Sequence, residues 1–434
     1  MRSFYSLLIL AVICIKTVLL ADVWSPPELL DTSAIQPAIA VDAQGNAVAV
    51  YVHSDGINTC VKAATLAVGQ PWSTPLAISQ PSPYWCRMPS VAIDSKGNAV
   101  AVWICNTPDN AMVVLAARKP AGSNSWTLAE PLADPAPFVC ELKLTLDKQG
   151  NALAVWTTGQ KETANLIASA RLKSLESSWE QIKPLARNSS IACLDVAVDL
   201  KGNAWMIWNS DAIQIASLAS HADQWSEPQK LSAASVLDVK ICVDADGNAL
   251  ALWAENEAIK AYARPYGSSD WEETIFSKEA LTGRYMQVAF DRTGTAYALY
   301  TSNDTANQNV LRFTTLPFKS RTWSTPINVI PTGDAMFWQI FSDIDTAGNA
   351  VVVLFTGGWG ANGVIQATTK AANSPSWSSP TPFTMSAYIS TIACKLSHQN
   401  GCTIIYSDGA PYVYTITGSE LFQPNKQPVF LSNN

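Results

Sequence analysis

Three histidines, His53, His221 and His398, are the whole imidazole supply of this 434-residue chain. A Ser-His-Asp triad or a histidine metal site therefore has little to gather around, and no metal or cofactor is expected. Carboxylates are more plentiful, with Asp55, Asp109, Glu141, Asp238, Glu255 and Glu257 in loops on one side of the pattern described below. Two of them held across a cleft could act as the acid and base of a glycosidase, but sequence does not supply their separation. Ser54-Asp55, Ser210-Asp211 and Ser407-Asp408 recur at one position; they read as loop turns first and calcium ligands second. Aromatic rings are the more distinctive signal. Of the 16 tryptophans, only Trp85, Trp338 and Trp359 stand outside repeated or packing positions. They lie beside Tyr84 and Arg87, beside Phe337, and beside Gly357-Gly358, while Arg284 and Tyr285 hold a similar place elsewhere. Such rings with a few donors suit sugar stacking or a peptide hot spot. The bland alternative is that they plug the mouth of a channel.

The elements that position these residues are repeats of one unit. Its clearest copy is Val91-Ala-Ile-Asp94-Ser-Lys-Gly97-Asn98-Ala-Val-Ala-Val-Trp103, and other copies are anchored at Asp42, Asp147, Asp199, Asp244, Asp291, Asp345 and, with His in place of Asp, His398. Successive anchors lie 45 to 54 residues apart, a period that points to a propeller, solenoid or array. Period-two alternation on both sides of the anchor marks two strands. Asp-x-x-Gly-Asn between them fits a type I turn closed by a left-handed glycine, so the anchoring Asp reads as a turn residue rather than a catalytic acid. An aromatic residue ends the second strand at Tyr51, Trp103, Trp156, Trp208, Trp253 and Tyr300. Trp-Ser-x-Pro or a relaxed form of it supplies an outer strand at Trp24, Trp72, Trp126, Trp179, Trp225, Trp271, Trp323 and Trp377. With a third strand such as 112–118, each repeat predicts one four-stranded blade, and the chain an all-β, eight-bladed propeller. The Asp-x-x-Gly turns then share one face, the turn face. The more varied loops share the other, the variable face, where a site is expected.

The chain opens on a Trp24 strand and ends after a third strand near Tyr412. Pairing the N-terminal strand onto the last blade would close the ring and remove its exposed edges. The rival for that slot is Phe422 to Ser432, a poorer match to the outer element. Residues 1–21 resemble a secretory leader, with Arg2, an apolar run from Leu7 to Leu20 and a small Ala21. No other segment could span a bilayer, so no integral membrane segment is expected after cleavage of that leader, and 22–434 reads as a single propeller domain. A net charge of −7 argues against a nucleic-acid partner. Low charge in an exported chain suits a secreted or otherwise extracytoplasmic protein.

Eight cysteines follow the leader, an even count that permits disulfides. Cys86 and Cys105 lie near the open ends of one hairpin. Simple register places them on opposite sides of the sheet, so their bridge needs a bulge. Cys140 and Cys193, at similar heights on adjacent blades, are a second candidate pair. Cys242 reads as a small buried hydrophobe.

The hairpin unit resembles the repeats of bacterial β-propellers of the NHL and SBBP types, in which a strand also ends in Asp, then x-x-Gly-Asn, then an apolar strand. The resemblance implies a fold and no activity. The unit departs by one residue from the sialidase Asp-box, Ser-x-Asp-x-Gly-x-x-Trp, and Arg87, Arg187 and Arg284 are too few for an arginine cluster. The expected function is a binding module for a glycan or a protein through the variable face, with Tyr84, Trp85, Arg87, Arg284, Tyr285, Phe337, Trp338 and Trp359 as candidate contacts. The alternatives are a propeller glycoside hydrolase or lyase using loop carboxylates and, third, a structural surface protein.

Overall fold

A computed structural model describes residues 24–422 apart from 148, 161–162, 176, 187–190, 234–235, 237, 257, 275, 277–280, 304–308, 331–336, 357–362, 387–388, 398–400 and 409–410. Side chains are also left undescribed at 163–165, 186, 281–284, 337–338 and 384–386. The proposed leader, 1–21, thus lies outside the described residues.

Eight four-stranded antiparallel sheets follow one another along the chain. Blade 1 is Ala34–Val41, Ala47–Ser54, Thr59–Leu66 and Leu76–Ala77, and blade 2 is Cys86–Ile93, Ala99–Asn106, Met112–Lys119 and Glu130–Pro131. Blades 3 to 7 span 138–186, 193–232, 239–273, 281–328 and 337–386. Blade 8 takes three strands from the C-terminal end, Ile389–Leu396, Cys402–Asp408 and Val413–Gly418, and its outer strand, Glu28–Asp31, from the N-terminal end. The ring is closed by the N-terminal strand, as the sequence predicts; the rival segment lies, beyond Phe422, outside the described residues.

The apolar interior is not one core but eight clusters among the described residues, each straddling two neighbouring blades. This is the arrangement that lets so long an all-β chain bury itself, since each interface needs only its own two sheets. Every cluster also contains one outer-strand tryptophan, which reaches back onto the preceding blade. Trp225 Nε1 donates to Ser169 Oγ at 3.0 Å and Trp323 Nε1 to Thr274 Oγ1 at 2.9 Å, one blade away in each case. The serine after the tryptophan does a second job. Ser226 N donates to Ser217 O at 2.8 Å, while Ser217 N donates to Ser226 Oγ at 3.0 Å. The hydroxyl stands in for the serine's own carbonyl in the ladder. The same pair of bonds joins Ser25 to Thr417, at 2.7 and 2.9 Å, in the closing strand.

The repeated turn has a fuller logic than its sequence suggests. Asp94 Oδ1 accepts the backbone N–H groups of Lys96 and Asn98, both at 2.9 Å, and Oδ2 accepts Asn98 Nδ2 at 2.7 Å. Asn98 Oδ1 in turn accepts Ala121 N at 2.8 Å, tying the turn to the loop between the third and fourth strands. Blade 6 has Thr295 in place of the Asn, and there the Tyr297 hydroxyl takes over, donating to Asp291 Oδ2 at 2.8 Å. Tyr297→Phe is therefore expected to cost about 1–3 kcal/mol through the orphaned carboxylate oxygen. Adding Thr295→Asn should recover most of it in urea titrations; a double variant no more stable than the single one would show that this exchange of donors is not real.

Blade 8 corrects the sequence register by one residue. Ser397 N donates to Gly401 O at 2.9 Å and Gly401 N to Ser397 Oγ at 3.2 Å, so Ser397, and not His398, takes the anchor's place. The aromatic slot nine residues on is then Tyr406, buried like its counterparts. Sequence placed the anchor three residues before a glycine; backbone pairing, which runs from the anchor N–H to the carbonyl four residues on, placed it elsewhere. His398 itself lies outside the described residues.

Cys86 and Cys105 are directly paired and bridged, because the first strand of blade 2 carries a bulge between Arg87 and Ser90. Cys140 and Cys193 are both free. Cys193 packs into the cluster shared by blades 4 and 5, facing away from blade 3, while Cys140 Sγ lies 3.0 Å from Thr157 Oγ1. That candidate pair does not form. Cys242 is also free and packs partly buried against the cluster between blades 5 and 6.

Candidate functional site on the variable face

The bulge in blade 2 recurs at the same place in blades 1 and 3 and gives the mouth of the ring its shape. Gln36, Met88 and Glu141, each six residues before its anchor, adopt positive φ of 54°, 53° and 50°. Non-glycine residues hold that region only where surrounding contacts impose it. One such contact crosses between blades, from Met88 N to Gln36 Oε1 at 2.9 Å. Deeper in the ring Asp195 Oδ2 accepts Ile241 N at 3.0 Å, and Asp343 Oδ2 accepts Leu396 N at 2.8 Å. Side chains of one innermost strand thus cap the backbone of the next.

Trp85, Cys86 and Arg87 lead into the first strand of blade 2. Trp85 is 45% exposed and Tyr84 is half-buried beside it. Cys86 packs toward blade 1 with Cys105. Arg87 turns the other way, as alternation along a strand requires. Its Nη2 donates to Val139 O at 3.0 Å and approaches Met112 Sδ at 2.7 Å, with Asn106 Oδ1 at 3.5 Å from Nη1. Burial holds this guanidinium below its ordinary range.

Met112 and Val139 are also part of the wall of a cleft of about 870 Å³ between blades 2 and 3. Trp156, almost wholly buried, lies in its lining, with Asp134, Thr158, Gln160 and Gln181 as the polar groups. Gln181 Nε2 donates to Leu132 O across the two blades. A cleft of this size, apolar in its lining and carrying a few polar groups, has the make-up of a small-molecule or oligosaccharide site.

The remaining candidates fare differently. Tyr285 joins the cluster between blades 6 and 7, and its hydroxyl meets Ser342 Oγ at 2.7 Å, so it bridges two blades; burial pushes this hydroxyl up from its ordinary range. Trp359 lies outside the described residues, as do the side chains of Arg284, Phe337 and Trp338, although the last three fall on strands. Asp55 and Asp408 accept local backbone N–H groups, at 2.9 and 2.7 Å and at 3.0 Å, as loop-turn residues do. Among the described residues no group of three or more His, Cys, Asp or Glu side chains could hold a metal ion.

One cluster at the mouth was missed from sequence. Lys143, Asp195 and Lys240 sit four residues before their anchors on blades 3, 4 and 5, with Asp238 accepting from Lys240 Nζ at 2.8 Å. Burial pushes the Asp195 carboxyl up, against the pull of Lys240 and Lys143 on either side. Burial would lower Lys240, but Asp238 and Asp195 beside it carry it above its ordinary value. Burial, then Asp238 and Glu141, push the Cys193 thiol up to about 12. Blades 1 and 2 hold Ala38 and Ser90 at the matching position, so aligning the repeats column by column would have exposed this run of charges.

No protein-family model matches the chain, and no curated protein matches it. Solved structures match over most of its length. The WD40 domain of SCAP from fission yeast superposes with a TM-score of 0.57 at 13% identity, over 94% of this chain and 98% of its own. The BP39L lectin from Burkholderia pseudomallei gives 0.53 at 12% identity, over 82% and 100%. An ulvan lyase of polysaccharide lyase family 25, bound to -[GlcA(1-4)Rha3S]-, gives 0.52 at 10% identity, over 90% and 96%. At such identities the likeness establishes the class, a β-propeller, and nothing about the ligand. The strand count makes it an eight-bladed ring with four antiparallel strands per blade, and no particular repeat family is singled out by these matches.

Proposed function

We propose that this chain is an exported β-propeller that binds a glycan in the cleft between blades 2 and 3, with Tyr84 and Trp85 near its rim. The observations that carry the reading are the 45% exposure of Trp85 and the contacts of Arg87, two residues on, with Met112 and Val139 in the wall of a cleft whose polar groups are Asp134, Thr158, Gln160 and Gln181. A free indole stacks on the apolar face of a sugar ring, while amides, hydroxyls and a carboxylate pair with its hydroxyl groups. Likeness to a lectin propeller supports a binding role for the fold. The Cys86–Cys105 bridge and the leader-like residues 1–21 support an oxidising, extracytoplasmic location.

Trp85→Ala combined with Gln160→Ala is expected to weaken binding of a glycan identified by array screening about 10- to 30-fold. The unfolding midpoint should hardly move, because an exposed ring contributes little to packing. A large loss of stability with binding intact would make Trp85 a plug instead of a contact. Turnover of a chromogenic glycoside, lost on Glu141→Gln or Asp238→Asn, would replace this reading by the hydrolase or lyase one.

A further inference from the structure

The two faces of the ring differ in charge. At the loop tips of the variable face Asp55, Asp109, Asp134 and Asp211 are exposed. On the turn face Lys96, Lys201 and Arg292 are exposed within the turns of blades 2, 4 and 6, and Lys319 within the adjoining loop of blade 6. Exposed carboxylates on that face include Asp246 on the fifth turn and Glu420 on the eighth loop, with Glu180, Asp223, Glu227, Asp270 and Glu272 further out beside the outer-strand tryptophans. Within the turns themselves exposed cations thus outnumber exposed carboxylates among the described residues, Lys96, Lys201 and Arg292 against Asp246, while the outer edge of the face is acidic.

Apolar groups protrude from the same face, all from one repeat position. Val68, Tyr266 and Phe318 each open the loop between third and fourth strands and are 52%, 57% and 49% exposed. Blades 2, 4 and 7 hold Ala121, Ser220 and Ala372 there. The two rings lie over the turn glycines of their own blades: a Cβ on Gly247 would come within 2.8 Å of Tyr266, and one on Gly294 within 2.6 Å of Phe318. One side of each ring is thus seated and the other left to solvent. Lys201 Nζ lies 4.2 Å from the centre of the Tyr266 ring and 3.1 Å from its hydroxyl, and Lys319 Nζ lies 5.1 Å from the centre of Phe318. Between blades 5 and 6 a cleft of about 330 Å³ adjoins Phe318, with Leu250, Phe290 and Leu316 in its lining and Lys319 and Arg321 also part of it. Arg321 is paired with Glu272; Lys319 is not.

Rings raised on a flat face and accompanied by ammonium groups match the physical demands of a bilayer surface, where aromatic groups settle at headgroup depth and lysines meet phosphate. We propose that the turn face docks on an anionic phospholipid surface through Tyr266, Phe318, Lys201 and Lys319. Repulsion between that surface and the aspartates of the variable face sets the orientation, and the cleft between blades 2 and 3 then points away from the lipid. This reading stands whatever that cleft binds.

The test uses the mature protein with vesicles of equal parts phosphatidylglycerol and phosphatidylcholine, against vesicles of phosphatidylcholine alone. Cosedimentation is expected only with the first, and it should fade as ionic strength rises. Lys201→Glu with Lys319→Glu should reduce it at least about tenfold. These two side chains are exposed, so the fold survives their change; Tyr266→Ser with Phe318→Ser should act in the same direction. Equal binding to both vesicles, or unchanged binding by the lysine variant, would overturn the proposal. So would retention on a soluble polyanion such as dextran sulfate without binding to either vesicle.

Discussion

Trp24→Ala is expected to lower the stability of the ring by about 3–5 kcal/mol, more than any other outer-strand tryptophan, although its chemistry is the same in all eight blades. Its ring meets Phe383 of blade 7 with centroids 5.1 Å apart and packs into the cluster between blades 7 and 8. The same residue bridges Gly418 just ahead of the strand that closes the circle through Glu28↔Thr415 and Leu29↔Tyr414. Loss of a tryptophan elsewhere loosens one interface between blades already joined by chain connectivity. Loss of Trp24 loosens the junction that only side chains and ladder bonds hold. Asp31, at the end of the closing strand, adds an ion pair to Lys62 of blade 1 at 3.0 Å. Urea titrations of Trp24→Ala and Trp126→Ala compare the two situations; equal costs would mean that closure carries no special share of stability.

Gly150→Ala is the second large effect, about 3–4 kcal/mol, and it has two sources. Gly150 has φ of 89°, a conformation that costs an alanine roughly 1–2 kcal/mol. A Cβ there would also lie 2.8 Å from Asp94 Oδ2, the anchor of the preceding blade. That oxygen would have to leave the donor it holds, Asn98 Nδ2, and a hydrogen bond to a charged group is worth roughly 1.5–3 kcal/mol. Gly56 separates the two sources: its φ is also 89°, but nothing lies within 4 Å of its added Cβ. Gly56→Ala should therefore cost only the conformational part. Asp94→Ser combined with Gly150→Ala should show strong coupling, since Ser397 already faces Gly45 in this manner at the closure of the ring. Should Gly56→Ala and Gly150→Ala prove equally costly, the contact between successive turns is unimportant.

That contact marks the limit of what the chain reveals when read alone. The number of blades, the four strands in each and the N-terminal strand as closure were all legible. Each depends on patterns confined to one repeat: alternation, a turn with fixed side-chain donors and acceptors, and Trp-Ser at the outer edge. The turn glycine was legible only for its backbone freedom. Its second role, making room for the Asp of the blade before, involves residues about fifty apart and leaves no local trace. The bulge that permits Cys86–Cys105 was required by register but could not be foreseen, because interblade contacts such as Gln36 to Met88 help to hold it. A glycine three residues on points to His398 as the anchor, whereas strand pairing selects Ser397. Sequence alone thus determined the wedge and how many times it is repeated. Only packing of one wedge against the next decided which indole stays in water, where a cleft opens between blades 2 and 3, and which charges gather on each face, since those properties belong to interfaces and not to repeats.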